Sequence, residues 1–528
     1  MSLRSVEALA LHGCEGFRKM LFGRIKPLEA ILASAEKKSL RRSLGPFQLT
    51  LLGVGAVIGT GIFVLTAEAA QKAGPGMMLS FVIAGFVCAM AALCYSELAA
   101  MVPVAGSAYT YTYAVMGELL AWTVGWALIL EYAIGASAVA VGWSGYFVGL
   151  LHASLGVDIP QWLAVGPSQG GLINLPAVVI AALVTGLLAI GTTESARVNA
   201  VLVAIKVSAL TLFVILTLPV ARGTNFHPFT PNGWGTVGVF GAASSIFFAY
   251  VGFDAVSTAA EETRNPQRNV PIGLIGSLTI CTIFYLLVSA GAIGAIGAQP
   301  VRGGSGEILA PGTLALADRC AAIVAGGANL PLACSHEALA HVLRTMGDVQ
   351  LGNLIGLAAF LALPSVVLMM MYGQTRVFFV MARDGLLPAR LATVHPRWHT
   401  PHIVTLFTGL VVILMAAFLP VGTLADYCNS GTLFAFAMVA IAVLVLRVRD
   451  PGRRRPFRTP AVAVVAPLAI IGCAVLYAKL PLAAILVLPG WGIVGLIVYF
   501  AYGRAHSHLA RGIVEITEDR PPLYGVDV

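Results

Sequence analysis

The sequence predicts an all-α membrane protein of twelve transmembrane helices, ten of them forming two inverted five-helix repeats. Three observations lead there. The 528 residues are 58% hydrophobic and 11% charged, with a mean hydropathy of +0.88, more apolar surface than a soluble fold can hide. Apolar stretches of the length a span needs, about 20 residues, recur roughly twelve times along the chain. The first and the sixth are interrupted by glycine, and a separation of five spans makes two broken helices enter from opposite faces, as an inverted repeat requires.

Residues 1–44 are rich in Lys and Arg, have an amphipathic pattern and lack an apolar core with a small-residue cleavage site. They read as a cytoplasmic segment lying on the inner membrane surface rather than a signal peptide. Span one, 46–70, contains Gly53-Val-Gly-Ala-Val-Ile-Gly-Thr-Gly-Ile-Phe63. Irregular backbone at membrane depth is tolerated only where protein buries it or where it lines a cavity, so the glycines at 59 and 61 point to a binding site, with a simple kink or a close-packing face as the alternative.

Spans two to five cover 77–101, 117–150, 174–191 and 197–219. A polar aromatic run, Tyr109 to Tyr113, predicts a short interfacial helix before the third. Span six, 236–259, carries Phe247-Phe-Ala-Tyr-Val-Gly-Phe-Asp254, with glycine and an acid in mid-helix. Spans seven to ten follow at 271–297, 351–381, 403–420 and 424–446, and the stretch 298–350 between the first two is one large outer loop holding Cys320 and Cys334, a candidate disulfide pair in an oxidising compartment.

The transport core implied by these spans runs over 45–447, the Arg-rich loop and appended spans (461–479 and 483–502) fill 448–503, and a cytoplasmic tail covers 504–528. With the N-terminus inside, of the 32 Lys and Arg only Lys72, Arg222, Arg302, Arg319, Arg344 and Lys479 fall outside and Lys206 lies within a span, the bias expected of membrane topology. The net charge of +8 then reflects topology and anionic lipid headgroups, and no nucleic-acid partner is implied. No metal-ligand cluster, nucleotide-binding loop, haem-spaced histidines, carbonyl filter or hydrolase triad order is present in the sequence, which argues against an enzyme, a cofactor, a metal and a channel.

Several runs carry a resemblance. Gly55-Ala-Val-Ile-Gly-Thr-Gly-Ile-Phe63, Cys94-Tyr-Ser-Glu-Leu-Ala99 and Pro103-Val-Ala-Gly-Ser-Ala-Tyr-Thr-Tyr111 resemble the amino acid-polyamine-organocation superfamily. Trp126 to Ala133, Glu194 to Lys206, Gly252 to Pro271, Gly373 to Pro388 and Arg455 to Pro460 are similar to its cationic amino acid transporter family, bacterial type, over roughly 38–503. The resemblance implies a leucine-transporter-type fold in the bacterial inner membrane, with both termini cytoplasmic. It implies a secondary transporter taking up a cationic or small neutral L-amino acid with a proton; an exchanger, or a sensor of the same fold, is the alternative. The bilayer is the other partner, and a small single-span accessory subunit is left open.

In that reading Ile58, Gly59, Thr60, Gly61 and Ile62 offer unpaired N–H groups and a positive helix end to the substrate carboxylate. Phe248, Ala249 and Val251, beside Gly252, offer carbonyls to its ammonium group. Glu131, in mid-span, lines the pathway and favours a cationic side chain or carries a proton, against a purely structural carboxyl packed between helices, since a charge there costs at least ~2.5 kcal/mol. Lys206 stands where related proton-coupled members replace a sodium ion, unless it snorkels to the interface. Asp254 reads as an N-terminal cap of the second half of span six, and Met370, beside Pro364 in span eight, as part of the side-chain wall. Glu261, Glu262, Arg264, Arg268, Arg383 and Asp384 read as solvated loop charge, some of it an inner gate.

Overall fold

A computed structural model describes residues 24–26, 44–103, 107–191, 196–398 and 400–512, and among these all named elements are helices. Most of the N-terminal segment, Glu194 and the tail beyond 512 lie outside the described residues. Helix α1 (Pro46–Val57) begins with proline at its first position, where a fixed φ suits the helix and the missing N–H is an orphan anyway. It stops at Ile58, whose backbone is extended at φ −72° and ψ 100°, and the chain turns helical again as α2 (Thr60–Phe63) and α3 (Leu65–Ala73). Then come α4 (Met77–Met101), α5 (Ser107–Val115), α6 (Glu118–Leu155), α7 (Leu175–Ile190) and α8 (Ala196–Thr217).

The next helix is broken in the same manner. α9 (Val239–Ile246) tightens into a 3-10 turn at Phe247–Tyr250, and helix resumes only at α10 (Ala255–Thr258). α11 (Pro266–Ile296) leads to the long connection, which is itself built from α12 (Leu314–Ala325) and α13 (Ala338–Thr345). Cys320 and Cys334 are joined there by a disulfide with Cα atoms 5.9 Å apart. α14 (Val349–Arg383), α15 (His402–Phe418), α16 (Val421–Arg449), α17 (Val462–Ala478) and α18 (Leu482–Val498) complete the bundle. Among the described residues, seven helical segments are long and apolar enough to cross a membrane, and α1, α7, α9 with its turn, α15 and α17 are shorter apolar helices. Helix α6 is the hub, packing on α14, α16, α15 and α7.

Prolines inside these helices leave a carbonyl one turn back without its donor, and at two of them a neighbouring helix supplies one. Pro364 would free the Phe360 carbonyl, which accepts from Trp143 Nε1 at 2.9 Å, and Pro489 would free that of Ile485, which accepts from the Tyr477 hydroxyl at 2.7 Å. Helix α14 therefore runs unbroken past its proline.

Polar networks tie both ends. At the end bearing the Arg-rich stretch, called the basic end below, the buried carboxylate of Glu97 accepts from Arg447 through both oxygens at 2.8 Å, from the Thr459 N–H at 2.8 Å, and pairs with Arg455 at 3.2 Å. Asp384, expected to be solvated, is instead buried, pairing with Lys26 at 2.7 Å and accepting from Tyr109 at 2.8 Å. The tyrosines of α5 are likewise buried between helices rather than spread along an interface; the hydroxyls of Tyr109 and Tyr113 find the Asp384 and Glu118 carboxylates. At the opposite end, which carries 298–350, Lys72 is held by Glu68 at 3.0 Å, by Asp426 at 3.4 Å and by the Ser245 hydroxyl, joining α3, α9 and α16.

Candidate functional site

The two breaks touch. A Cβ placed on Gly61 would lie 2.3 Å from the Cα of Ala249, so no other residue lets the backbones of the two broken helices approach this closely. Gly252 takes φ +110°, with its own ideal Cβ 2.9 Å from the Ala56 carbonyl oxygen, and glycine is required there for conformation as well as space. The other glycines of the opening run serve packing: side chains at 53 or 55 would meet Ser277 at 2.5 Å and Val203 at 2.5 Å.

Tyr285 of α11, which the sequence did not single out, holds the two breaks together. Its hydroxyl lies 3.0 Å from the Val57 carbonyl, the end of α1, and 2.6 Å from the Ala249 carbonyl. Ile58, Thr60, Ile62, Phe248, Ala249 and Val251 are all buried around this junction. The N–H groups that open α2 have no preceding turn to donate to, as at any helix start. The carbonyl side departs from expectation: Phe248 accepts from the Val251 N–H at 3.2 Å and Ala249 accepts from Tyr285. Each keeps one lone pair for a further donor.

Helix α6 packs against the first break. Thr60 faces Gly142, where a Cβ would meet the threonine methyl at 2.5 Å, and the Thr60 hydroxyl is buried without a hydrogen-bond partner. Both carboxyl oxygens of Glu131 are in the same condition, as is the side-chain oxygen of Gln374, whose amide nitrogen donates to the Ile129 carbonyl at 3.1 Å. Thr432 on the facing helix donates instead to the Cys428 carbonyl at 3.2 Å. An unmet buried polar group costs roughly 1–3 kcal/mol; the Thr60 hydroxyl lies at the first break, while Glu131 and Gln374 form a second unmet cluster about three turns away along α6.

Asp254 corrects the expectation of a cap. It stands at the N-cap position of α10, but its backbone is already helical at φ −63° and ψ −22° and the side chain makes no capping bond. Its carboxylate accepts from the Tyr132 hydroxyl at 3.2 Å, linking the second break to the residue after Glu131. Lys206 is buried and its ammonium donates to the Gly55 carbonyl at 2.8 Å. It therefore does not snorkel; it clamps α8 to the helix that leads into the first break.

Met370 reaches the same region. An ideal Cβ on Gly135, one turn beyond Glu131, would lie 3.5 Å from Cys428 Sγ, 3.6 Å from Met370 Sδ and 3.8 Å from Phe248 Cε2. Of the residues singled out from sequence, those of the two breaks meet each other, Met370 meets Phe248 of the second break beside Gly135, and Asp254 binds Tyr132, the residue after Glu131. The cysteine pair lies apart, in the long connection. Tyr132, Tyr285 and Gly135 were missed because a tyrosine or glycine inside an apolar helix carries no local sign of its partner.

Comparison with known proteins adds independent information. A family model described as amino acid permease matches residues 44–501. The chain is 44% identical over 485 residues to the branched-chain amino acid permease BcaP of Bacillus subtilis, covering 91% of this chain and 97% of that protein. It is 41% identical over 489 residues to the methylthioribose transporter of the same organism, covering 92% and 98%. A cationic amino acid transporter of Arabidopsis thaliana, number 2, vacuolar, is 36% identical over 442 residues, covering 81% of this chain and 63% of that protein.

Proposed function

The chain belongs to the amino acid permease family, a family of membrane transporters rather than enzymes, and from that premise we propose that it carries one L-amino acid, small neutral or cationic, together with a proton by alternating access. One observation above all supports this reading: the junction at Gly61 and Ala249, where a Cβ would come within 2.3 Å, sets helix-start N–H groups beside carbonyls. A zwitterion needs both, an anion-binding helix start for its carboxylate and acceptors for its ammonium. In this proposal Gly59 to Ile62 bind the carboxylate, the Ile58 N–H expected to join them being spent on the Val54 carbonyl at 2.9 Å, and the remaining lone pairs of Phe248, Ala249 and Val251 receive the ammonium group.

Glu131 supplies a carboxyl that protonates or pairs with substrate during the cycle, and Lys206 couples proton movement to the first broken helix through Gly55. The proposal includes twelve spans, with α1 to α8 and α9 to α16 as inverted halves that each begin on a broken helix, and a bacterial cytoplasmic membrane with both termini inside. Purified protein in liposomes tests it. Saturable amino acid uptake that grows with an inward proton gradient is expected. Flux only against amino acid preloaded inside would make the protein an exchanger, and binding without any flux would make it a sensor.

A further inference from the structure

We propose that an open cavity at the end opposite the basic one is a binding site for a phosphate group, carried either by a phospholipid headgroup or by a solute. The cavity has a volume of about 1140 Å³, and no residue of either break lines it. Its walls are the stretch after α8, the stretch after α11, helix α12 and the end of α13. Arg222, Arg302 and Arg319 enter from the first three of these, with His227 beside them. No Asp or Glu is found among the described residues that line it.

The three arginines are oriented but not used up. A guanidinium has five N–H donors. Arg302 spends three of them, on the Gly306 carbonyl, the Pro231 carbonyl and Asn232 Oδ1, each at 3.2 Å. Arg319 spends one, on the Arg302 carbonyl at 3.2 Å, and the Arg222 side chain makes no hydrogen bond or ion pair among the described residues. Every one of these acceptors is neutral. Glu307, beside Gly303 at the rim, is turned to Ser305, whose N–H it accepts at 3.1 Å, and it balances at most one of the three charges. A cleft lined by one sign of charge concentrates the opposite one.

The walls are set before any ligand arrives. The Arg222 N–H and the Asn225 amide both donate to the Gly294 carbonyl, at 2.9 and 2.7 Å, and the Gln299 amide donates to the Pro228 carbonyl at 3.3 Å. Cys320 follows Arg319 directly, and its disulfide to Cys334 staples α12 to the turn that carries Leu332, another lining residue. A site held in this way has less freedom to lose on binding. The cysteine pair, remote from the two breaks, thereby acquires a role.

The chemistry of the walls selects the ligand. Planar guanidinium forks match the paired oxygens of a phosphate. A zwitterionic amino acid fits poorly, because its ammonium group would face three cations and no lining carboxylate. Helices α8 and α11 are both long and apolar enough to cross a membrane, and they end at this cavity, which places it level with the lipid headgroups. Val220, Ile296 and Ile323 lie among the polar lining residues and offer apolar surface to whatever carries the phosphate.

The test is melting of the purified full-length protein in neutral detergent, titrated with short-chain phosphatidylglycerol, with glycerol phosphate and with acetate. Saturable stabilisation by a phosphate-bearing probe is expected, absent with acetate at the same concentration and weakening as salt rises. Stabilisation by the lipid alone assigns the site to the bilayer; stabilisation by glycerol phosphate as well shows that a solute suffices. Arg222→Gln combined with Arg319→Gln should melt as the wild type does without ligand and should weaken the probe about tenfold or more. Arg222→Gln alone serves if the double variant fails to fold. Arg454→Gln, exposed in the Arg-rich stretch at the other end, should respond as the wild type. Stabilisation by acetate equal to that by the phosphate probes, no saturable response to either phosphate probe, an unchanged response in the arginine variants, or an equal loss in Arg454→Gln would overturn the proposal.

Discussion

Glu97 and Glu131 are both buried glutamates in helices of the same bundle, one at the basic end of α4 and one in the middle of α6, and their surroundings are opposite. Glu97 is 1% exposed and is enclosed by Arg447, Arg455 and the Thr459 N–H. Two runs that carried the family resemblance, Cys94 to Ala99 and Arg455 to Pro460, meet in that network. Glu131 is 0% exposed and neither of its oxygens has a hydrogen-bond partner. A carboxylate boxed in by cations and a backbone donor holds helices together. One left unmet in mid-bundle costs stability wherever it stays charged, and the proposed role of Glu131 in substrate or proton handling is what would offset that cost.

The comparison breaks most visibly at Glu97. Breaking a buried ion pair by removing one partner costs about 3–5 kcal/mol, so Glu97→Gln should lose most of its folded population on denaturant titration in detergent. A variant that titrates with the wild type would show that this network does not hold the basic end. Lys206→Ala comes next. It deletes a charged hydrogen bond to Gly55, worth about 1.5–3 kcal/mol, and uptake should become insensitive to the proton gradient; uptake that still follows the gradient would remove Lys206 from the coupling role.

At the opposite end, Glu337 gives a pH-dependent counterpart. Burial, only partly offset by Arg344, pushes its carboxyl from the usual 4.5 up to about 6. The folded protein thus holds this proton more tightly than the unfolded chain does. The stability it contributes is complete below 4.5 and is lost as pH rises through about 6, roughly 2 kcal/mol across the window. Melting of the wild type should show this fall and Glu337→Gln should flatten it; an identical slope in both would refute the assignment. Smallest is Tyr285→Phe, which removes one hydroxyl shared by two carbonyls. A loss of roughly 0.5–1.5 kcal/mol is expected, together with weaker amino acid binding as the two breaks loosen.

Much of the helical pattern was legible because apolar length is a local property. The expected span 77–101 and α4 share both ends, and the breaks announced themselves through Gly59, Gly61 and Gly252. What was not legible depends on meetings between distant residues. Nothing near Asp254 says that Tyr132 rather than its own helix takes its carboxylate, and nothing near Asp384 says that Lys26 reaches it. Nothing near Pro364 says that Trp143 satisfies the carbonyl it frees.

The contrast between the two glutamates rests most directly on Glu131→Gln. Its melting should be measured with and without a panel of amino acids beside wild type, since a ligand stabilises the fold it binds. The account predicts a variant that melts no earlier than the wild type yet loses the stabilisation by amino acids or changes which of them stabilise it. A variant that unfolds as readily as Glu97→Gln, and that still responds to the panel as the wild type does, would contradict it.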